Sequence, residues 1–172
     1  MARSLDKIVM IVPTFVDLQG FTVDKRFVVK EVAVLRKGAV LTHHIFKSPT
    51  PWNLLTTSDK SCASWLISYH HGLRWEDGMI PYNMAKRLIT MAVIDADEPI
   101  VYVKGLEKRQ WLRDMLDNDA IVETMDADYE DLESLNNLDV FNTIRCAKHV
   151  KNCALQNVFK LYNYWLQHQN KI

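Results

Sequence analysis

Three apolar, β-branched runs lie close together near the start of the chain: Lys7 to Phe15, Arg26 to Leu35 and Val40 to Phe46. Runs of this length, rich in Val, Ile and Phe, read as strands. The links between them are too short for the crossover that parallel neighbours need, and Lys37-Gly38 makes a tight turn, so an antiparallel meander follows. Pro13 donates no hydrogen bond and belongs at a bulge or on an unpaired side. Asp17-Leu18-Gln19-Gly20 is expected to end or bend the first strand. Glu31 stands in the middle of the second run. A lone carboxylate there is costly unless it is paired, hydrogen-bonded or bound to metal.

Helical patterns take over after Ser48-Pro49-Thr50-Pro51. Ser58 can cap a helix running to Tyr69, with Trp65 and Leu66 turned inward and Gly72 beyond its end. Pro81 can open a helix to about Val93, with Met84, Leu88, Met91 and Ala92 as its apolar stripe. Pro99 to Val103 is a short strand, expected parallel to the first because a helix precedes it. A helix from Lys108 to Leu116, a strand from Ala120 to Glu123 and a helix from Asn152 to Gln167 complete the chain. Leu155, Val158, Phe159, Tyr162 and Leu166 share one face of that last helix. The expectation is an α/β fold in one domain over residues 1–172: a mixed sheet of an antiparallel meander plus parallel strands, flanked by helices.

The 21 Lys and Arg are matched by 21 Asp and Glu, so the formal net charge is zero. That weighs against strong, non-specific phosphate binding, which needs a cationic surplus, and leaves room only for a local basic patch. No apolar run is long enough to span a bilayer, and Met1 to Lys7 does not read as a signal peptide. Three cysteines suit a reducing compartment better than a disulfide framework. The expectation is an intracellular protein, cytoplasmic or nuclear, without a membrane partner. Asp126 to Glu133 reads as a solvated acidic face.

Two of the cysteines bracket a histidine in Cys146-Ala147-Lys148-His149-Val150-Lys151-Asn152-Cys153. The spacing Cys-x2-His-x3-Cys lets a loop and the first turn of a helix aim three donors at one centre. Zinc takes four such donors tetrahedrally, so a fourth must come from elsewhere. Two small buried hydrophobes and a surface histidine would give the same sequence. The stretch lacks the paired Cys-x2-Cys repeat that decides such cases, and spacing alone leaves both readings open.

The element order and several local stretches resemble the DEDDh 3′–5′ exonuclease family of the ribonuclease H-like fold, from about Ile8 to Leu166. Asp17-Leu18-Gln19-Gly20 stands where that family has Asp-x-Glu-Thr-Gly, and Val28-Val29-Lys30-Glu31-Val32-Ala33-Val34 is similar to its second strand. Phe46-Lys47-Ser48-Pro49 resembles the end of its third strand, and His71-Gly72-Leu73 its His-Gly-Ile signature. Val101 to Lys108 matches the strand leading to His-Asn-x-x-Phe-Asp. Asn152-Cys153-Ala154-Leu155-Gln156-Asn157 stands for His-x-Ala-Leu-x-Asp. The resemblance implies four carboxylates holding two magnesium ions and a histidine that activates water. Here only Asp17 is kept. The Glu position is Gln19, the second Asp falls at Lys108, the histidine at Asn152 and the last Asp at Asn157. One carboxylate does not hold two hard cations, so bound magnesium is not expected. Glu107 replaces a lost ligand only if the alignment shifts by one residue.

A second resemblance is to the Maelstrom domain, a DEDDh-like fold without the acidic site and with a Glu-Cys-His-Cys zinc cluster. Its Glu lies in the second strand, and its other ligands come as Cys-x2-His and then Cys-Ala-Leu at the last helix. The matching residues are Glu31, Cys146, His149 and Cys153, the last followed by Ala154-Leu155. This resemblance implies a structural zinc ion, supplies the fourth ligand and accounts for Glu31. The spacing from His149 to Cys153 is shorter than in Maelstrom.

Other residues are weighed against these. His43-His44 and His70-His71 come as pairs. Neighbours in a strand point to opposite faces, so His43 and His44 do not chelate one ion together, and satisfied histidines are expected. Ser61 and Cys62 have no adjacent base. Lys104, Lys108 and Arg109 are candidates for phosphate contact near the former catalytic groove, with Trp52 and Trp75 as stacking surfaces for single-strand bases. The implied function is a catalytically degenerate, zinc-stabilised exonuclease-like module that binds single-stranded RNA or a protein partner in a small-RNA silencing or mobile-element pathway. The alternatives are an active ribonuclease, either exonucleolytic around Asp17 or a Maelstrom-like endoribonuclease, and a scaffold for protein interaction alone.

Overall fold

The computed structural model describes residues 11–94 and 100–169. Five strands form one sheet: β1 (Thr14–Val23), β2 (Arg26–Arg36), β3 (Val40–Ile45), β4 (Val101–Val103) and β5 (Val122–Thr124), in the order β3-β2-β1-β4-β5. The first three pair antiparallel. β4 and β5 add parallel to β1 because a helix precedes each of them. The helices are α1 (Thr57–Tyr69), α2 (Ala85–Val93), α3 (Leu106–Met115), the single turn α4 (Met125–Asp128) and α5 (Ala154–Gln169). This is the mixed, helix-flanked sheet of the ribonuclease H-like arrangement. Among the described residues, no helix is long and apolar enough to cross a membrane.

Side chains alternate across a strand, and here the alternation divides two cores. Val16, Leu18, Val32 and Val34 pack on Ile89 of α2 and Leu112 of α3. Phe15, Ala33, Leu35 and Tyr102 face Val158, Leu161 and Trp165 of α5. Asp17 and Glu31 share the parity of the second set, so both carboxylates are buried under α5. That placement sets up everything at the site.

The structure shifts several sequence expectations. Residues 7–10 lie outside the described part, and β1 begins at Thr14, after Pro13. Asp17 to Gly20 does not end that strand but lies inside it, with a bulge between Gln19 and Gly20. A Cβ on Gly20 would stand 2.2 Å from the Val28 carbonyl oxygen, so the bulge needs glycine. α1 is capped by Thr56, whose Oγ1 accepts from the Asp59 N–H at 3.1 Å, and not by Ser58. Trp65 faces solvent at 57 % exposure, and Ala63 packs inward. On α2, Ala85, Ile89 and Ala92 are buried while Met91 is exposed. The buried face of α5 carries Asn157 and Lys160 beside Leu155, Val158, Leu161 and Trp165. An apolar stripe cannot count those two polar positions, so its phase was set too far toward Phe159 and Tyr162.

Candidate metal centre and the Asp17 cluster

Glu31 is fully buried at the middle of β2. Its Oε1 accepts from the Ala154 N–H at the start of α5, 2.9 Å away, where the helix dipole favours an anion. Its Oε2 faces the segment before α5. His149 Nε2 lies 2.9 Å from that oxygen and Cys146 Sγ 3.7 Å. The Cys146 N–H in turn donates to Cys153 Sγ at 3.3 Å. The donor atoms of Glu31, Cys146, His149 and Cys153 all lie within 4.8 Å of one another, a group that could hold a metal ion.

The fit goes beyond proximity. His149 Nδ1 faces two carbonyl oxygens, His71 at 2.6 Å and Lys151 at 3.0 Å. Carbonyls only accept, so Nδ1 carries a proton, and Nε2 is the nitrogen that faces the cluster, protonated towards Glu31 when no metal is bound. A ligating histidine is held in this way, by a hydrogen bond from its other nitrogen. Burial alone would raise the Glu31 carboxyl, but hydrogen bonds from His149 and His43 outweigh it and hold its pKa below the usual value. A hydrogen bond from Cys153 lowers the Cys146 thiol and raises the pKa of Cys153 itself. Two thiols, two imidazoles and a carboxylate are thus packed where protons or a cation must balance charge.

His43 is the residue that sequence reasoning missed. The register Ala33↔His43 puts it on the Glu31 face of the sheet, while His44 pairs with Val32 on the other. His43 Nε2 lies 2.8 Å from Glu31 Oε2, the same oxygen that meets His149. The parity of the pair was readable, since only one of two adjacent strand residues can share a face with Glu31. Which one it would be depended on the register fixed at the Lys37-Gly38 turn.

A second polar cluster surrounds Asp17, also fully buried. Lys108 Nζ forms an ion pair with Oδ1. Oδ2 accepts from Asn157 Nδ2 at 2.8 Å and from Gln19 Nε2 at 3.2 Å. Gln19, Asn157 and Lys108, the positions that the exonuclease resemblance aligned with carboxylates, are therefore gathered around Asp17 as two amides and a cation. Asn152 is near them, its Nδ2 donating to the His70 carbonyl at 2.7 Å. A groove of about 270 Å³ opens here, lined among others by Gln19, His70, Lys108, Trp111, Asn152 and Asn157. Glu107 stands exposed at its rim.

The polar ends of most candidate nucleic-acid contacts are engaged within the chain. Lys104 is tied to Asp126 Oδ1 at 2.7 Å, and Arg109 Nε donates to the Val122 carbonyl at 2.8 Å. Trp75 is 2 % exposed, with its indole N–H on the Thr50 carbonyl at 2.7 Å, so neither ring face is open to a base. Trp52 rests edge-on against it with ring centres 6.2 Å apart. Asp126 and Asp128 are not simply solvated: they accept from Lys104 and from the Tyr102 hydroxyl. No protein-family model matches the chain, and no curated protein matches it.

Proposed function

We propose that this chain is a catalytically inert, zinc-stabilised module of the DEDDh-exonuclease type, most like the Maelstrom domain, and that it binds single-stranded RNA. The observation that carries the reading is Lys108 on Asp17. An ammonium fills the place where a hydrolytic metal ion would offset phosphate charge, and two amides take up the rest of the carboxylate. Asp17 is thereby engaged within the chain and is not offered, with a second carboxylate, to magnesium or manganese. Zinc suits the other cluster because thiolate, imidazole and carboxylate are all donors it accepts, four at a time in tetrahedral structural sites. Glu31, Cys146, His149 and Cys153 would hold it, and its contribution would be to folding. The fold then offers a groove without the hydrolytic chemistry, as a binding module in small-RNA or mobile-element biology would need.

The test is incubation of labelled single-stranded RNA with the zinc-loaded protein, with and without magnesium and manganese, reading binding and cleavage together. Binding without cleavage under both conditions is expected. Divalent-dependent 3′–5′ trimming that D17N abolishes would restore the exonuclease reading. Metal-independent internal cleavage would favour an endoribonuclease, and no RNA binding at low salt would favour a protein-interaction scaffold.

A further inference from the structure

The neutral net charge hides a strong segregation. Five of the eight residues from Asp126 to Glu133 are acidic, whereas from Val140 to Ile172 the chain has no Asp or Glu at all. Within the second region, Arg145, Lys148 and Lys151 are all exposed, and among the described residues none of them has an ion-pair partner. They alternate with the cluster's own residues, in the order Arg145-Cys146, Lys148-His149 and Lys151-Asn152-Cys153. This differs from Lys104, Lys108 and Arg109, whose polar ends are taken up inside the protein.

We propose that the loop from Arg145 to Lys151, tied down by the metal centre, is the phosphate-contacting surface of this module and that metal loading controls its affinity for single-stranded nucleic acid. The proposal rests on the RNA-binding reading above and gives it a place. The segment from Leu138 to Cys153 forms neither strand nor α-helix, so its shape depends on what its side chains hold. Cys146, His149 and Cys153 hold it at one end through the cluster, and His149 also bonds the His71 carbonyl. The loop borders the Asp17 cluster. His70 lines the groove beside Asp17 and also a cleft of about 220 Å³ shared with His149, Val150 and Lys151. A nucleic-acid strand lying in the groove would pass His70 and reach Lys151, with Lys148 and Arg145 exposed on the same loop. Val150, 69 % exposed between two of these cations, gives an apolar contact for a base or ribose. These side chains tie the loop to the sheet, so loss of the metal would leave only their hydrogen bonds to hold it and would loosen the segment that carries the cations.

The experiment measures binding of a labelled single-stranded oligouridine to zinc-loaded protein across a salt series. Each phosphate contact contributes roughly 0.7 to the slope of log affinity against log salt. The variant R145Q/K148Q/K151Q should flatten that slope by about 2 and weaken low-salt binding by about tenfold or more, with zinc content and melting temperature unchanged. K86Q/R87Q, on α2, should leave the slope alone. Removal of zinc with a chelator should weaken binding to a similar degree. An unchanged slope in the loop variant, with the parent binding RNA, overturns the loop assignment and leaves the RNA reading standing. Equal flattening by K86Q/R87Q overturns it as well, since net charge alone would then explain the effect. A zinc-free protein that stays folded and binds as tightly overturns the metal dependence. A parent that binds no RNA ends both readings, and competition by polyglutamate as strong as by RNA would replace nucleic acid with an acidic protein partner.

Discussion

Asp17 and Glu31 make a natural experiment. They stand on neighbouring strands, face the same side of the sheet, and are both fully buried beneath α5. Asp17 is satisfied within the chain: a lysine supplies the charge, and Asn157 and Gln19 supply hydrogen bonds. Glu31 is surrounded by imidazoles and thiols, which balance its charge only by carrying protons or by giving way to a metal. A buried anion with a fixed cation is closed, and one among titratable ligands is open. The two clusters therefore respond to different perturbations.

The largest difference should come from the metal. A structural zinc site contributes much of the folding free energy of a small domain. Elemental analysis of protein purified without added metal should find about one equivalent of zinc per chain. C153S should remove it and unfold the domain or lower its melting temperature strongly, whereas D17N should leave zinc content unchanged. Zinc retained in C153S would show that Cys153 is a packed thiol and not a ligand.

Next is the closed cluster. K108M leaves Asp17 buried without its counter-ion, and breaking a buried pair from one side costs about 3–5 kcal/mol. Urea unfolding should show that loss. The double variant D17N/K108M should recover most of it, because no charge remains to be offset. Magnesium should not rescue K108M. A magnesium-dependent recovery would mean that Asp17 can still bind a hydrolytic ion.

Acidity separates the clusters further. In metal-free protein, burial by itself would lower His43 and His149, but hydrogen bonds to Cys146 and Glu31 raise them from 6.5 to about 9 and about 10. A raised folded value gives stability that is complete below pH 6.5 and lost as pH rises through the folded value. Cys146, lowered, works in the opposite direction and offsets about one of the two imidazoles. The remainder is a net loss of stability as pH rises from 6.5 towards 9. Zinc bound at the cluster would displace these protons, so the loaded protein should show a much flatter profile in parallel denaturation series. Matching profiles with and without metal would place the ion elsewhere.

How much of this could be read from residues alone follows from the kind of interaction. The meander and the parallel β4 follow from run lengths and links, which are local. Glu31 was conspicuous because a lone carboxylate in an apolar strand requires a partner, and the Cys-x2-His-x3-Cys stretch offered three. The Lys108–Asp17 pair joins residues far apart in sequence, and only the alignment with a family motif brought them near each other. Trp75 could not be distinguished from an exposed stacking surface, because its burial depends on Phe21, Leu55 and Ala63 from separate elements. Which faces of α2 and α5 are buried turned on a helix rotation that Met91 and Lys160 do not reveal.

The smallest effect concerns His43 and tests how open the Glu31 cluster is. Its Nε2 lies 2.8 Å from Glu31 Oε2, and it is 21 % exposed, whereas His149 is almost sealed at 1 %. His43 is outside the group of four whose donor atoms lie mutually close, so its place is beside the carboxylate and not around the ion. With zinc loaded, a neutral His43 with its proton on Nε2 would donate to that oxygen and aim it at the ion. Removing such a partner usually weakens metal affinity by 10- to 100-fold, and partial solvent access puts this case at the low end. Competition with a chromophoric chelator should show H43L binding zinc about tenfold more weakly than the parent. H43Q, whose amide N–H can reach the same oxygen, should recover most of the loss, and cobalt-loaded forms of all three should keep the same tetrahedral absorption bands. If H43L and H43Q lose equally, donation to Glu31 is not what His43 provides. A changed cobalt spectrum in both would make His43 a ligand in its own right, with Glu31 the residue that positions it.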